Sequence, residues 1–161
     1  SPTSASQILL GIETLELRVR RQTTPALELA RFLAEQPGVA RVHHPGLAEH
    51  PEHELVARLL PDGVGSVFSF DLHGGVDDVE IFIDALELFA LVANIGDVRS
   101  LAVHPATTTH SRLNEAGRAQ AGIEQTTVRL SIGVEDPDDL RADLAQALQA
   151  VAAPRTPAGP R

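Results

Sequence analysis

The chain has no lysine and no cysteine, few aromatic residues and no long apolar run. Without cysteine there is no disulfide framework, no thiolate metal site and no cysteine nucleophile, and nothing in redox usage marks a compartment, so cytoplasm is the default expectation. Without lysine, all 13 basic residues are arginines, and no side chain offers a primary amine for imine formation. The 22 acids give a formal charge of −9, which argues against nucleic acid and anionic membrane as partners, because both attract positive surfaces. The longest apolar stretch, residues 81–95, is interrupted by Asp84, Glu87 and Asn94. It falls short of the roughly 20 residues that span a bilayer, so a soluble protein is expected.

What remains is 161 residues, 43% of them hydrophobic, enough for one well-packed core and too few for two. The first residue is Ser1, and a helical pattern begins almost at once, which reads as a cut or processed N-terminus. Ile8, Ile12, Leu15 and Val19, then Ala26, Leu29, Ala30 and Leu33, recur at helical spacing, predicting a long helix over residues 1–36. Pro25, preceded by Thr24, either starts a second helix or bends a continuous one.

Residues 39–43 read as a short strand. The next helix has Leu55, Val56, Leu59 and Leu60 as its apolar positions and ends at Pro61-Asp-Gly63. From 66 to 72 the residues alternate, with Phe68, Phe70 and Leu72 on one face and Val67, Ser69 and Asp71 on the other, the pattern of a strand covered mainly on one side. A helix with Val79, Phe82, Ile83 and Leu86 inward, opened by Asp77 and Asp78, supplies a covering layer. A strand is expected over 99–103, a short helix around 112–121, and a strand over 127–132 that buries Val128, Leu130 and Ile132 and turns Thr127, Arg129 and Ser131 away. Asp136-Pro137 caps a last helix with Leu140, Leu144, Ala147, Leu148 and Val151 inward. The proline- and glycine-rich end has nothing to bury and reads as a flexible tail. These signals predict an α+β fold: a two-layer sandwich of three or four mostly antiparallel strands with helices on one face.

Arg129 stands out chemically, because an arginine on a rigid strand presents a planar fork suited to a carboxylate; the alternative is a surface arginine paired with an acid. Ser100 carries the same ambiguity, being either a strand-edge residue or a backbone and hydroxyl donor to the anion that Arg129 binds. His43, His44, His50 and His53, with Glu49, Glu52 and Glu54, suggest metal ligands by composition. Consecutive histidines on a strand point apart, however, and Pro51 interrupts any helical pairing, so solvated loop histidines are the better account. His104 and His110 flank threonines 107–109, but no strand–turn–helix elbow supports a nucleophile and base there. Gly63, Gly65, Gly74 and Gly75 lack the spacing of a phosphate loop.

Five blocks, in order and at consistent spacing, carry a resemblance over nearly the whole chain. They are Gly11-Ile-Glu-Thr-Leu-Glu-Leu-Arg18, Pro45-Gly-Leu47 with His50-Pro-Glu-His53, Ser69-Phe-Asp-Leu-His-Gly-Gly75, the run from Gly96 to His110, and Arg129-Leu-Ser-Ile-Gly-Val-Glu-Asp136. Together they resemble the Cys/Met-metabolism family of pyridoxal-phosphate enzymes, which includes cystathionine γ-synthase, cystathionine lyases, methionine γ-lyase and the O-acylhomoserine sulfhydrylases. Asn94-Ile-Gly-Asp-Val-Arg-Ser-Leu101 with Thr108-Thr-His110 is most similar to the O-acetylhomoserine sulfhydrylase branch.

The resemblance implies the C-terminal small domain of a fold-type-I enzyme: residues 1–36 as a linking helix, 37–153 as the small domain and 154–161 as the tail. It implies pyridoxal 5′-phosphate as cofactor, bound mainly by an N-terminal domain of the same polypeptide that would hold the Schiff-base lysine, so this lysine-free piece alone would be inactive and would contain no cofactor ligand. It further implies a homo-oligomer and an O-acylhomoserine substrate. Arg129 matches the family arginine that forks onto the amino-acid α-carboxylate, with Ser100 and the Leu101 backbone beside it. Gln22, where the family usually has histidine nearby, and Pro25 are departures expected to leave that site untouched. An apolar stripe on the first helix is expected to face the missing domain and to promote self-association. The alternatives are another member of the family, whether cystathionine γ-synthase, cystathionine γ-lyase or methionine γ-lyase, and a non-catalytic carboxylate-binding or dimerisation module of the same fold.

Overall fold

The computed structural model describes residues 1–154, so the expected tail beyond Pro154 lies outside the described residues. The elements run α1 (Pro2–Glu13), α2 (Leu15–Ala34), β1 (Val39–His43), α3 (His53–Leu59), β2 (Val67–Leu72), α4 (Val76–Ala85), β3 (Ala90–Leu91), β4 (Leu101–Val103), α5 (Glu115–Gln120), β5 (Thr127–Ser131) and α6 (Pro137–Ala152). The strands form one sheet in the order β1-β2-β5-β4-β3. All neighbours are antiparallel except β3 and β4. This is the expected α+β architecture with one more strand, because β3 has only two residues and is too short to leave an alternation in the sequence.

One sheet face and three helices make the core. Phe70 and Leu72 of β2, Val128 and Leu130 of β5 and the following Ile132 pack with Leu29 and Leu33 of α2, Val79 and Phe82 of α4, and Leu140, Leu144 and Ala147 of α6. The rings of Phe70 and Phe82 meet edge to face at 5.5 Å, the arrangement their quadrupoles favour. The α6 start is the one expected: Asp136 accepts from the Asp138 N–H at 2.9 Å and Pro137 occupies the first turn, where its missing donor costs nothing.

No helix starts at Pro25: it sits inside α2 with its ring buried, and the helix boundary falls at Thr14, between α1 and α2. Arg18 reaches back to bond both the Gly11 carbonyl and the Thr14 hydroxyl, satisfying acceptors that a helix end leaves open. From Gln22 onward α2 contributes Ala26, Leu29, Ala30 and Leu33 to the core. In contrast α1 buries nothing, and Ile8, Leu9, Leu10 and Ile12 are exposed.

The periodicity around α3 also points outward, since Leu55, Leu59 and Leu60 are exposed. A less expected feature is Asp143, 4% exposed on the inner side of α6. Its carboxylate accepts the backbone N–H groups of Glu87, Leu88 and Phe89 at 2.9, 2.9 and 3.3 Å, closing the turn that leads into β3. Among the described residues no helix is long and apolar enough to cross a membrane.

Candidate functional site

The face of the sheet opposite the core is mixed, carrying Ser69, Asp71, Thr127 and Arg129 beside Val67, Leu101 and Val103, and strand register sets who stands beside whom. Arg129 of β5 lies between Ser69 of β2 and Val103 of β4. One step along, Thr127 pairs with Asp71, and on the outer side Ser69 pairs with His43. Both faces of β5 are largely enclosed, with Thr127 and Ser131 at 3% and 1% exposure. The sequence alternation locates the two faces correctly but carries no sign that the polar one is covered.

Arg129 is half-buried. Its Nη2 donates to the Asn94 carbonyl at 3.2 Å, and its Nε is buried without a hydrogen-bond partner. Ion pairs among the described residues include Arg20–Glu16, His43–Asp71, Arg99–Asp97 and Arg141–Asp138, and none of these joins a carboxylate to Arg129. A surface arginine paired with an acid is therefore not what the fold contains. An enclosed donor without an acceptor costs on the order of 1–3 kcal/mol, so the fold carries Arg129 at some expense to its stability.

Ser100 sits differently from the sequence expectation. It is fully buried; its N–H and hydroxyl donate to the two carboxylate oxygens of Glu135 at 2.7 and 2.9 Å. The hydroxyl also accepts from the Gly133 N–H at 2.9 Å. Both donors expected to face an incoming anion are thus occupied by an anion of the chain itself, because the turn after β5 folds Glu135 back over the start of β4. Leu101 is buried within β4, opposite Ser131 and Ala90.

Asn94 contacts the arginine instead. The motif around it was visible in the sequence, and the cue to its placement is Gly96, whose φ of +78° makes the tight turn that returns the loop to the sheet. Gln22 reaches the same loop: its buried amide donates to the Asp97 carbonyl at 2.6 Å. This departure from the family pattern, expected to leave the site untouched, is a support of the site's loop. The Asp97 carboxyl is itself held below the usual carboxylate range, first by the Arg99 N–H.

Beside Arg129 runs a hydrogen-bonded row that the sequence did not reveal. His43 Nε2 lies 2.6 Å from Asp71 Oδ2, the Thr127 hydroxyl donates to Asp71 Oδ1 at 2.5 Å, and the Glu124 N–H donates to Thr127 at 2.9 Å. Its residues are 28 and 56 positions apart in sequence, so no local spacing announces it. The other histidines of that stretch take separate partners: His44 accepts from the Gly46 N–H and His50 from the Glu52 N–H. Burial lowers the His44 pKa to about 4, so this ring is neutral at physiological pH. His104 is bonded to the Gln125 carbonyl through Nε2 and to the Thr107 hydroxyl through Nδ1. A carbonyl only accepts, so Nε2 carries a proton; the two bonds staple a loop.

Arg129 lines neither of two cavities, of about 520 and 200 Å³. It stands half-buried on the sheet, with the Asn94 carbonyl at the end of its side chain. An aldehyde cofactor attached as an imine does not fit this chain alone, since there is no lysine to carry it.

A model of the family described as Cys/Met metabolism PLP-dependent enzymes matches residues 1–149. O-succinylhomoserine sulfhydrylase of Pseudomonas aeruginosa is 46% identical over 151 residues, 94% of this chain and 37% of its own length. L-methionine gamma-lyase of Pseudomonas putida is also 46% identical, over 94% of this chain and 38% of its own. A crystal structure of an O-acetylhomoserine (thiol)-lyase assigned in Campylobacter jejuni, with N′-pyridoxyl-lysine-5′-monophosphate, superposes with a TM-score of 0.88 at 39% identity, covering 92% of this chain and 35% of that one. The chain thus spans a little over a third of the length of these relatives.

Proposed function

Because the chain belongs to the Cys/Met metabolism family of pyridoxal-phosphate-dependent enzymes, we propose that it is the substrate-carboxylate half of an O-acylhomoserine sulfhydrylase. The observation that carries this reading is the guanidinium of Arg129, unpaired with any acid among the described residues and with its Nε left without an acceptor. A ligand α-carboxylate would meet the Nη end of the guanidinium, since the enclosed Nε has no room for an outside acceptor, and charge-assisted bonds there fix the amino acid's orientation. Arg129 positions the substrate and transfers no proton.

The rest of the site belongs to polypeptide outside this chain. A large N-terminal domain supplies the lysine that this sequence lacks, and with it the cofactor, whose chemistry is to act as an electron sink. Replacement of the acyl group at the γ-carbon by a sulfur nucleophile is the overall reaction; the chain alone is inactive. Residues 37–153 form the small domain. The linking role expected of 1–36 is confined to α1 and the exposed start of α2, since α2 is part of the core from Gln22 onward. The exposed apolar residues of α1 meet the large domain in a homo-oligomeric enzyme. The same carboxylate site serves γ-elimination, as in methionine γ-lyase, so the choice between replacement and elimination rests on residues beyond this chain.

The test is Arg129→Lys in the full-length enzyme. A point charge in place of the fork is expected to raise KM for O-acylhomoserine by about 10- to 100-fold, the equivalent of one or two charge-assisted bonds, with cofactor absorbance intact. Unchanged turnover at low substrate concentration would refute the assignment.

A further inference from the structure

The loop over residues 94–100 carries the one carbonyl bonded to Arg129, yet it has little apolar anchorage: Ile95 and Val98 are 65% and 47% exposed. Polar contacts hold it instead. At its end, Glu135 takes both donors of Ser100, and the Val134 N–H donates to the Val98 carbonyl at 2.9 Å. In its middle, Gln22 holds the Asp97 carbonyl from a helix 75 residues away in sequence. The preceding residue of that helix, Arg21, donates to the Val134 and Glu135 carbonyls at 3.4 and 3.1 Å. One turn of α2 therefore grips both the loop and the segment to which the loop's end is bonded.

We propose that Gln22 and Glu135 are positioning residues for the arginine site: they clamp the loop 94–100, fixing the Asn94 carbonyl and through it the direction in which the Arg129 fork points. This rests on Arg129 as the carboxylate ligand. An arginine side chain has several rotatable bonds, and bidentate capture demands one orientation; a carbonyl held in place restricts the fork before the ligand arrives, reducing the ordering cost of binding. Glu135 reaches the ligand only through Ser100, the loop and Arg129. Gln22 acts through Asp97.

The test compares two ligands that differ only by the carboxylate, L-homoserine and 3-amino-1-propanol, titrated calorimetrically into the full-length cofactor-loaded enzyme. Glu135→Ala and Gln22→Leu are expected to weaken homoserine binding by about tenfold, the scale of one lost hydrogen bond to a charged group, and to leave aminopropanol within about twofold. Glu135→Gln, which keeps an acceptor for the Ser100 N–H, recovers part of the loss. Ser100→Ala removes the hydroxyl alone and shifts the ratio the same way to a smaller extent, which keeps the test open should Glu135→Ala fail to fold. In an Arg129→Ala background none of these changes alters the ratio further, as coupling through a shared group requires. Equal weakening of both ligands, or of neither, overturns the clamp while leaving Arg129 as the carboxylate ligand. A ratio already unchanged by Arg129→Ala alone overturns that assignment and the clamp with it.

Discussion

Arg129 gives Nη2 to the backbone carbonyl of Asn94 at 3.2 Å, and its Nε, enclosed in the same sheet, meets no acceptor among the described residues. A charged group held with one of its buried donors unpaired contributes little to stability and can detract from it. Arg129→Leu is therefore expected to leave the urea unfolding free energy within about 1 kcal/mol of the parent, or to raise it, while abolishing carboxylate recognition. A loss beyond about 2 kcal/mol would mean that the guanidinium is a structural member of the sheet.

Asp143 presents the opposite balance. Its carboxylate collects three backbone N–H groups and the Gln146 amide, all satisfied within an otherwise apolar helix face. Asp143→Ala leaves these donors without their acceptor and is expected to cost about 2–4 kcal/mol. Asp143→Asn, with one acceptor oxygen kept, costs less. Denaturant midpoints of the two variants check the order.

Gly133 has no room for a side chain. A Cβ there would overlap the Val98 carbonyl and the Glu135 carboxylate and lie 2.6 Å from the Arg99 carbonyl carbon. Since two of these atoms are backbone, the strain cannot be relieved by a rotamer change. Gly133→Ala is expected to lose about 2–3 kcal/mol and to loosen the loop 94–100 at once, visible as faster amide exchange at Ser100.

His44 makes stability depend on acid. Its pKa is about 4 when folded, against an ordinary value of 6.5, so the unfolded chain binds a proton between those limits that the native chain refuses. The contribution is fully present above pH 6.5 and is lost as pH falls toward 4, reaching up to about 3 kcal/mol. The cause is burial of the ring against Phe68, 5.5 Å away, with Nδ1 committed to the Gly46 N–H. Unfolding curves at pH 7, 5.5 and 4.5 should show this slope and a smaller one in His44→Asn; parallel behaviour of the two proteins would contradict it.

What the sequence disclosed and what it hid divide along the range of the interactions. The faces of β5 and the buried stripe of α6 repeat every two or 3.6 residues, so Val128, Leu130, Leu140 and Leu144 announce themselves. The Asp136 cap is equally local. Ser100 meets Glu135 across 35 residues, Asp143 closes a turn more than 50 residues upstream, and Gln22 spans 75. Single long-range polar bonds have no period, so a serine paired with its own chain's acid and a serine awaiting a ligand look identical in the sequence. The break at Thr14 was local yet masked, because Pro25 was the stronger signal and α2 continues through it.

Among the described residues the strand that carries Arg129 is the last in sequence and the central one in the sheet. During synthesis the β1–β2 pair and the β3–β4 pair emerge first, with no edge in common. Only when residues 127–131 leave the ribosome can they be joined, since β5 alone pairs with both β2 and β4. The sheet and the arginine at its centre are thus completed in one late, long-range step, and any chain stopped short of residue 127 has two unclosed strand pairs exposed to one another and to their neighbours.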